Sequence, residues 1–97
     1  MNRAERELAD LEAVFSALAH ASRRHILIVL NARGGSMTAG DIADRFACSW
    51  PTTTRHLRQL EDAGLVTVHV DGRQRRYELN RARLQSVAGG WLHHFAG

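Results

Sequence analysis

The sequence predicts a mainly α-helical chain with one small β-hairpin, in the order ααααββα. Three observations predict it. Apolar residues recur at helical spacing over most of the chain, a β-branched run from Leu65 to Val70 leads into an Asp71-Gly72 turn signal, and Gly34-Gly35, Gly64 and Asn80 punctuate the segments. At 97 residues the chain has the length of one domain, and residues 1–97 are read as a single unit. A chain this short buries only about 60–65% of its surface, so pairing with a second copy would enlarge its core.

Arg3 to Leu18 carries Leu8, Leu11, Phe15 and Leu18 on one stripe opposite a charged face, the pattern of an amphipathic helix. A second helix runs from Ser22, its expected N-cap, to about Ala32, where Gly34-Gly35 stops it. Ile26, Leu27, Val29 and Leu30 make it apolar nearly all round, as a buried central helix would be. Thr38-Ala39-Gly40-Asp41 resembles a capping box with Asp in place of Glu, and the short helix after it should bury Ile42, Ala43 and Phe46. Ser49 caps a fourth helix that ends near Gly64. Pro51 is tolerated in its first turn because those N–H groups have no intrahelical partner. Thr53, Leu57 and Leu60 form its core side, Gly64 fits the left-handed position past its end, and Leu65 can pack back on Leu60. Leu65 to Val70 and Arg73 to Leu79 are the two strands around the Asp71-Gly72 turn. Asn80 caps a last helix with Leu84, Val87, Trp91, Leu92 and Phe95 on its apolar side. Gly89-Gly90 should weaken or bend that helix, or else admit a close helix neighbour.

The net charge is only +3, yet all 13 basic residues are arginines. Arginine suits bidentate contact with phosphate and guanine, although a GC-rich coding bias produces the same usage. Placement says more. Residues 1–20 are net acidic, whereas residues 49–60 carry Arg55 and Arg58 and residues 72–77 carry Arg73, Arg75 and Arg76, both without an acid. Positive charge gathered in two short stretches is the footprint of a nucleic-acid partner. The single cysteine, Cys48, excludes an intrachain disulfide and an all-cysteine metal site in one chain. The longest apolar run, Ile26 to Leu30, is far short of the ~20 residues of a membrane span, and the first residues form no signal core. The chain is expected in the cytoplasm. It has no paired carboxylates, no Gly-rich phosphate loop and no nucleophile–base pattern, so an enzyme is not expected.

A short helix, a capped helix and a basic hairpin in succession are the layout of a winged helix-turn-helix. In that layout the second helix of the pair enters the major groove with its N-terminal residues nearest the bases. With Thr53, Leu57 and Leu60 facing the core, the outer side presents Trp50, Pro51, Thr54, Arg55 and Arg58. Arg55 is the base-reading candidate, because its fork can bridge guanine O6 and N7. Ser49 and Thr52 stand at the helix N-terminus, where hydroxyls and free N–H groups favour phosphate, and Arg58 reaches backbone phosphate a turn deeper. Trp50 and Pro51 offer apolar contact, or else Trp50 packs on the neighbouring helix. The hairpin carries Arg73 and Arg75 on one face and Arg76 on the other, so the three should not reach a minor groove equally. A charged hairpin that merely blunts an edge strand is the plainer alternative.

These residues also resemble a known family. Phe15-Ser16-Ala17-Leu18-Ala19 followed by Arg23-Arg24-His25-Ile26-Leu27 looks like the opening of ArsR-type bacterial repressors. The run from Ser49 to Val66 is similar to that family's recognition helix, and Asp71-Gly72-Arg73 through Tyr77-Glu78-Leu79 is similar to its wing. Ala21 stands where the family usually has proline, and Thr53 where it has valine or isoleucine. The resemblance implies a homodimeric repressor on a pseudo-palindromic double-stranded operator, joined by its first and last helices. Here that means the stripes Leu8, Leu11, Phe15 and Trp91, Leu92, Phe95, which could otherwise cover the monomer core. It also places His56 beside the DNA-facing residues, bonded to phosphate or to its own neighbours. Many members sense metals. Gly40 to Asp44 lacks the cysteines of one such site, and the last helix has only His93 and His94, about 100° apart around its axis. The chain is therefore similar to the metal-independent branch, with no metal and no cofactor expected. A ligand set shared across a dimer, and a winged-helix protein module that does not bind DNA, are the alternatives. His20 and His25 are expected to face solvent or pack locally.

Overall fold

The computed structural model describes residues 1–97. Its elements are α1 (Arg3–Leu18), α2 (Ala21–Ala32), β1 (Ser36–Thr38), α3 (Ala39–Arg45), α4 (Trp50–Asp62), β2 (Val66–Asp71), β3 (Gln74–Leu79), α5 (Arg81–Leu84) and α6 (Gly90–His93), with a π-helical turn over Gln85–Gly89 joining the last two. The fold is mainly helical, as the hydrophobic spacing predicts, but its sheet has three antiparallel strands in the order β1-β3-β2. The extra strand pairs Ser36, Met37 and Thr38 with Glu78, Tyr77 and Arg76. Three residues between a Gly-Gly stop and a helix cap carry no readable alternation, which is why the sequence does not announce them.

The core is one cluster in which Val14, Leu30, Ile42, Leu57, Leu60, Leu65 and Val66 are almost wholly enclosed. α4 ends as its Gly64 signal requires. Gly64 has φ +77, its N–H donates to Glu61 O at 2.9 Å, and the Leu65 N–H donates to Leu60 O at 2.9 Å, which together make a Schellman cap. Arg83 locks this corner: its Nε donates to Ala63 O at 3.0 Å and its Nη2 pairs with Asp10 of α1 at 3.3 Å.

Several local expectations change. The N-cap of α2 is His20, not Ser22; the His20 ring nitrogen Nδ1 accepts from the Ser22 N–H at 3.3 Å. α2 is not buried all round either, since Ile28 is 66% exposed and Val29 only half-buried. Of the α3 set, Ile42 is enclosed whereas Ala43 and Phe46 are half-buried. The hairpin turn slips by one residue: Asp71 pairs with Gln74, so the central residues are Gly72-Arg73, with φ +62 at Gly72 alone. Glycine first and no left-handed residue second is the sign pattern of a type II′ turn. The Gly89-Gly90 pair does disturb its helix, as a π turn that ends at Gly89. A Cβ at either glycine would meet no atom within 4 Å, so no close helix neighbour within the chain explains them. No single helix is long and apolar enough to cross a membrane.

Candidate nucleic-acid interface

α3 and α4 are joined by a four-residue turn, Phe46 to Ser49, that contains the half-buried Cys48. Ser49 caps α4 by accepting from the Thr52 N–H at 3.3 Å, and its hydroxyl donates to Thr52 Oγ1 at 3.0 Å. These two hydroxyls therefore serve the cap first. Burying Thr53, Leu57 and Leu60 rotates the rest of the helix outward. Trp50, Pro51, Thr54, Arg55 and Arg58 are all exposed. Trp50 remains 56% exposed.

The wing meets this face directly. Arg75 lies on the sheet face of Tyr77 and Leu79 by period-two alternation, and it lines a cleft of about 120 Å³ with Thr54, Arg58, Glu61 and Tyr77. A second cleft of about 320 Å³ sets Arg73, Gln74 and Arg75 against Trp50 and the Thr38–Gly40 start of α3. Arg73 itself sits in the turn, not on a strand. Arg76 points to the opposite face, where its Nη1 donates to Ser36 Oγ at 3.2 Å across the β1–β3 pair. The structure thus brings Trp50, Thr54, Arg58, Arg73 and Arg75 into one continuous basic surface, with the exposed Arg55 on the same helix, and turns Arg76 away from it.

His56 does not share that surface fully. It is half-buried and turned toward the start of α2, with its ring 4.5 Å from that of His20 and its Nδ1 3.4 Å from Arg23 Nη1. Burial, then the positive charges of His20, Arg23 and Arg55, hold its imidazole below the ordinary histidine value. His20 is exposed and caps its own helix, as expected, but its ring also meets that of the distant His56. His25 is exposed, and its ring packs edge-on against Phe46 at 5.0 Å. No sequence signal joins His20 and Arg23 to His56, because the contact spans more than thirty residues and follows no helical period.

The first and last helices pack together through Phe15 and Trp91, whose rings meet edge to face at 5.2 Å. Leu11 and Phe15 are half-buried, while Leu8, Leu92 and Phe95 are 64%, 58% and 72% exposed. The most enclosed α1 residues are Val14 and Ala17, beside the predicted stripe, not on it. Only part of each stripe therefore covers the core. No three His, Cys, Asp or Glu side chains of the single chain converge on one point.

A helical pair with an exposed, capped second helix and a basic hairpin beside it is a winged helix-turn-helix, a DNA-binding architecture. Comparison with known proteins agrees. A helix-turn-helix domain model matches residues 18–69. The chain is 40% identical to the transcriptional repressor SdpR of Bacillus subtilis, covering 84% of this chain and 88% of that protein. It is 35% identical to an arsenical resistance operon repressor of Staphylococcus aureus, over 80% and 73% of the two chains. Among solved structures, an ArsR-like transcriptional regulator from Rhodococcus sp. RHA1 superposes with a TM-score of 0.77 at 32% identity, over 92% and 82%. A homodimeric winged helix-turn-helix DNA-binding domain from Mycobacterium bovis has the same fold, with a TM-score of 0.76 at 23% identity over 97% and 86%. The chain belongs to the ArsR family of winged helix-turn-helix transcriptional repressors; its relatives are regulators, not enzymes.

Proposed function

We propose that residues 1–97 act as one unit of a homodimeric, cytoplasmic repressor that reads a pseudo-palindromic operator and needs no resident metal. The continuous surface of Trp50, Thr54, Arg58, Arg73 and Arg75, with Arg55 exposed on the same helix, carries this reading. Arg55 reads base edges in the major groove, with Thr54 beside it and Trp50 and Pro51 in apolar contact, while Ser49 and Thr52 bring the helix N-terminus to phosphate. Arg58 and His56 meet the backbone, and Arg73 and Arg75 lie toward the adjacent minor groove. Arg76 contributes long-range charge. Two copies join through Leu8, Leu11, Phe15, Trp91, Leu92 and Phe95, a face whose exposure in one chain supports the pairing. Repression follows when the dimer occupies an operator that overlaps a promoter.

The deciding experiment is operator binding at several salt concentrations, using duplexes selected from a random-sequence library. Log affinity should fall with log salt by about 0.9 for each phosphate contacted. Arg55→Ala should weaken the selected duplex by about 1–3 kcal/mol and relax its sequence preference. A flat salt response would instead mark a protein-interaction module, and unchanged affinity in Arg55→Ala would refute the docking described.

A further inference from the structure

The last carbonyls of α1 have no basic residue of their own helix to answer them. Two arginines from the start of α2 do so: Arg24 Nη1 donates to Leu18 O at 2.8 Å, while Arg23 Nε donates to Ala17 O at 2.7 Å and its Nη2 to Ser16 O at 3.3 Å. The third arm of the same guanidinium, Nη1, reaches His56 Nδ1 on α4 at 3.4 Å. One side chain thus joins the end of a dimerisation helix to the helix that reads DNA.

The chemistry of this joint requires neutral imidazoles. Arginine only donates, so His56 Nδ1 accepts and the ring's proton sits on Nε2. A backbone N–H also only donates, so His20 Nδ1 accepts from Ser22 in the same way. A second proton on either ring would turn an acceptor into a donor aimed at a donor. On His20 it would also place positive charge at the positive end of the α2 dipole. The two rings lie 4.5 Å apart, and the charges acting on His56 are those of His20, Arg23 and Arg55. α1 supplies only carbonyls, and neither α3 nor the sheet supplies a carboxylate to offset them.

We propose that Arg23 is a positioning residue for α4, tying it to the end of α1 through His56, and that proton uptake by the His20–His56 pair breaks that tie. The consequence for DNA rests on α4 being the reading helix. Since His56 is held below its ordinary value, the unfolded or released helix binds more protons below about pH 6.5, so acidification favours release. Loss of affinity on acidification runs against the general trend, because added positive charge by itself draws a protein toward phosphate.

The test uses the full chain and a duplex selected from a random-sequence library by the wild-type protein. Wild-type affinity should fall, by up to about tenfold, as pH drops from about 7.5 to 5.5, the range in which imidazoles change charge. Tightening, or no change, overturns the proton-sensitive tie. His20→Asn keeps a capping acceptor but does not titrate. It should shrink the acid loss to about threefold or less, and the NMR titration of His56 should move toward the ordinary value near 6.5. An unmoved His56 titration overturns the coupling of the pair. Arg23→Met should weaken binding at about pH 7.5 while leaving the salt slope unchanged; a slope shallower by about 0.9 would make Arg23 a phosphate contact and not a positioning residue. If Arg23→Met fails to fold, the His20→Asn measurements decide. If the wild-type protein selects no duplex at any pH, the DNA reading fails, and the His56 titration in wild type and His20→Asn still judges the tie.

Discussion

Thr53 sits among leucines with its hydroxyl unanswered: the side chain is 2% exposed and Oγ1 has no hydrogen-bond partner. An unsatisfied buried hydroxyl costs about 1–3 kcal/mol, and valine has nearly the same shape. Thr53→Val should therefore raise stability by about 1 kcal/mol in urea unfolding with no change in operator affinity. Unchanged or lower stability would mean that the hydroxyl finds a partner in solution. That Thr53, Leu57 and Leu60 point inward follows from their i, i+4, i+7 spacing, and so does the exposure of Arg55 and Arg58. The fate of His56 does not follow. Its neighbours come from α2, and periodicity carries no information about which distant side chain arrives at a given turn.

At the scale of elements, the wing shows how a one-residue slip redistributes roles. Asp71-Gly72 is a sound hairpin signal, yet the turn closes on Gly72-Arg73, which takes Arg73 off the strand. The alternation that places Arg75 with Tyr77 and sends Arg76 the other way is legible in sequence; that Ser36 waits for Arg76 is not, because β1 is too short to be read. Arg75→Ala should weaken binding evenly across sequences and make the salt slope shallower by about 0.9, and Arg76→Ala should do so much less. Equal effects in titrations at several salt concentrations would refute this division. The end of α4 offers a second test. Gly64 has φ +77, and an added Cβ would come within 2.9 Å of Arg83 Nε. Gly64→Ala should cost about 1–3 kcal/mol in thermal or urea unfolding, through backbone strain and displacement of Arg83. A neutral result would show that Arg83 moves aside freely.

The molecule as a whole is small in core and long in outline. Only 17 of its 97 residues are buried, and its radius of gyration is 14.1 Å, against about 12.5 Å for a compact chain of this length. The stripes Leu8/Leu11/Phe15 and Trp91/Leu92/Phe95 are legible in sequence, but their division between core and outer face is not, since both faces are apolar. If the outer part joins two copies, Leu92→Glu and Phe95→Glu should raise the dimer dissociation constant by roughly 100-fold or more, because each buries an unpaired charge. Sedimentation would show a folded monomer with much weakened operator binding; a dimer that persists in both variants would refute the assigned face. The short strand β1 has a consequence on the same scale. It hydrogen-bonds the wing along one edge and runs without a break into α3, whose Thr38 cap accepts from the Asp41 N–H. The root of the wing is therefore tied to the start of α3, like one jaw of a caliper set against the reading helix. Such a gauge measures the distance between a major groove and the next minor groove, and sequences whose intrinsic groove width already fits that distance should be favoured even where no side chain touches a base.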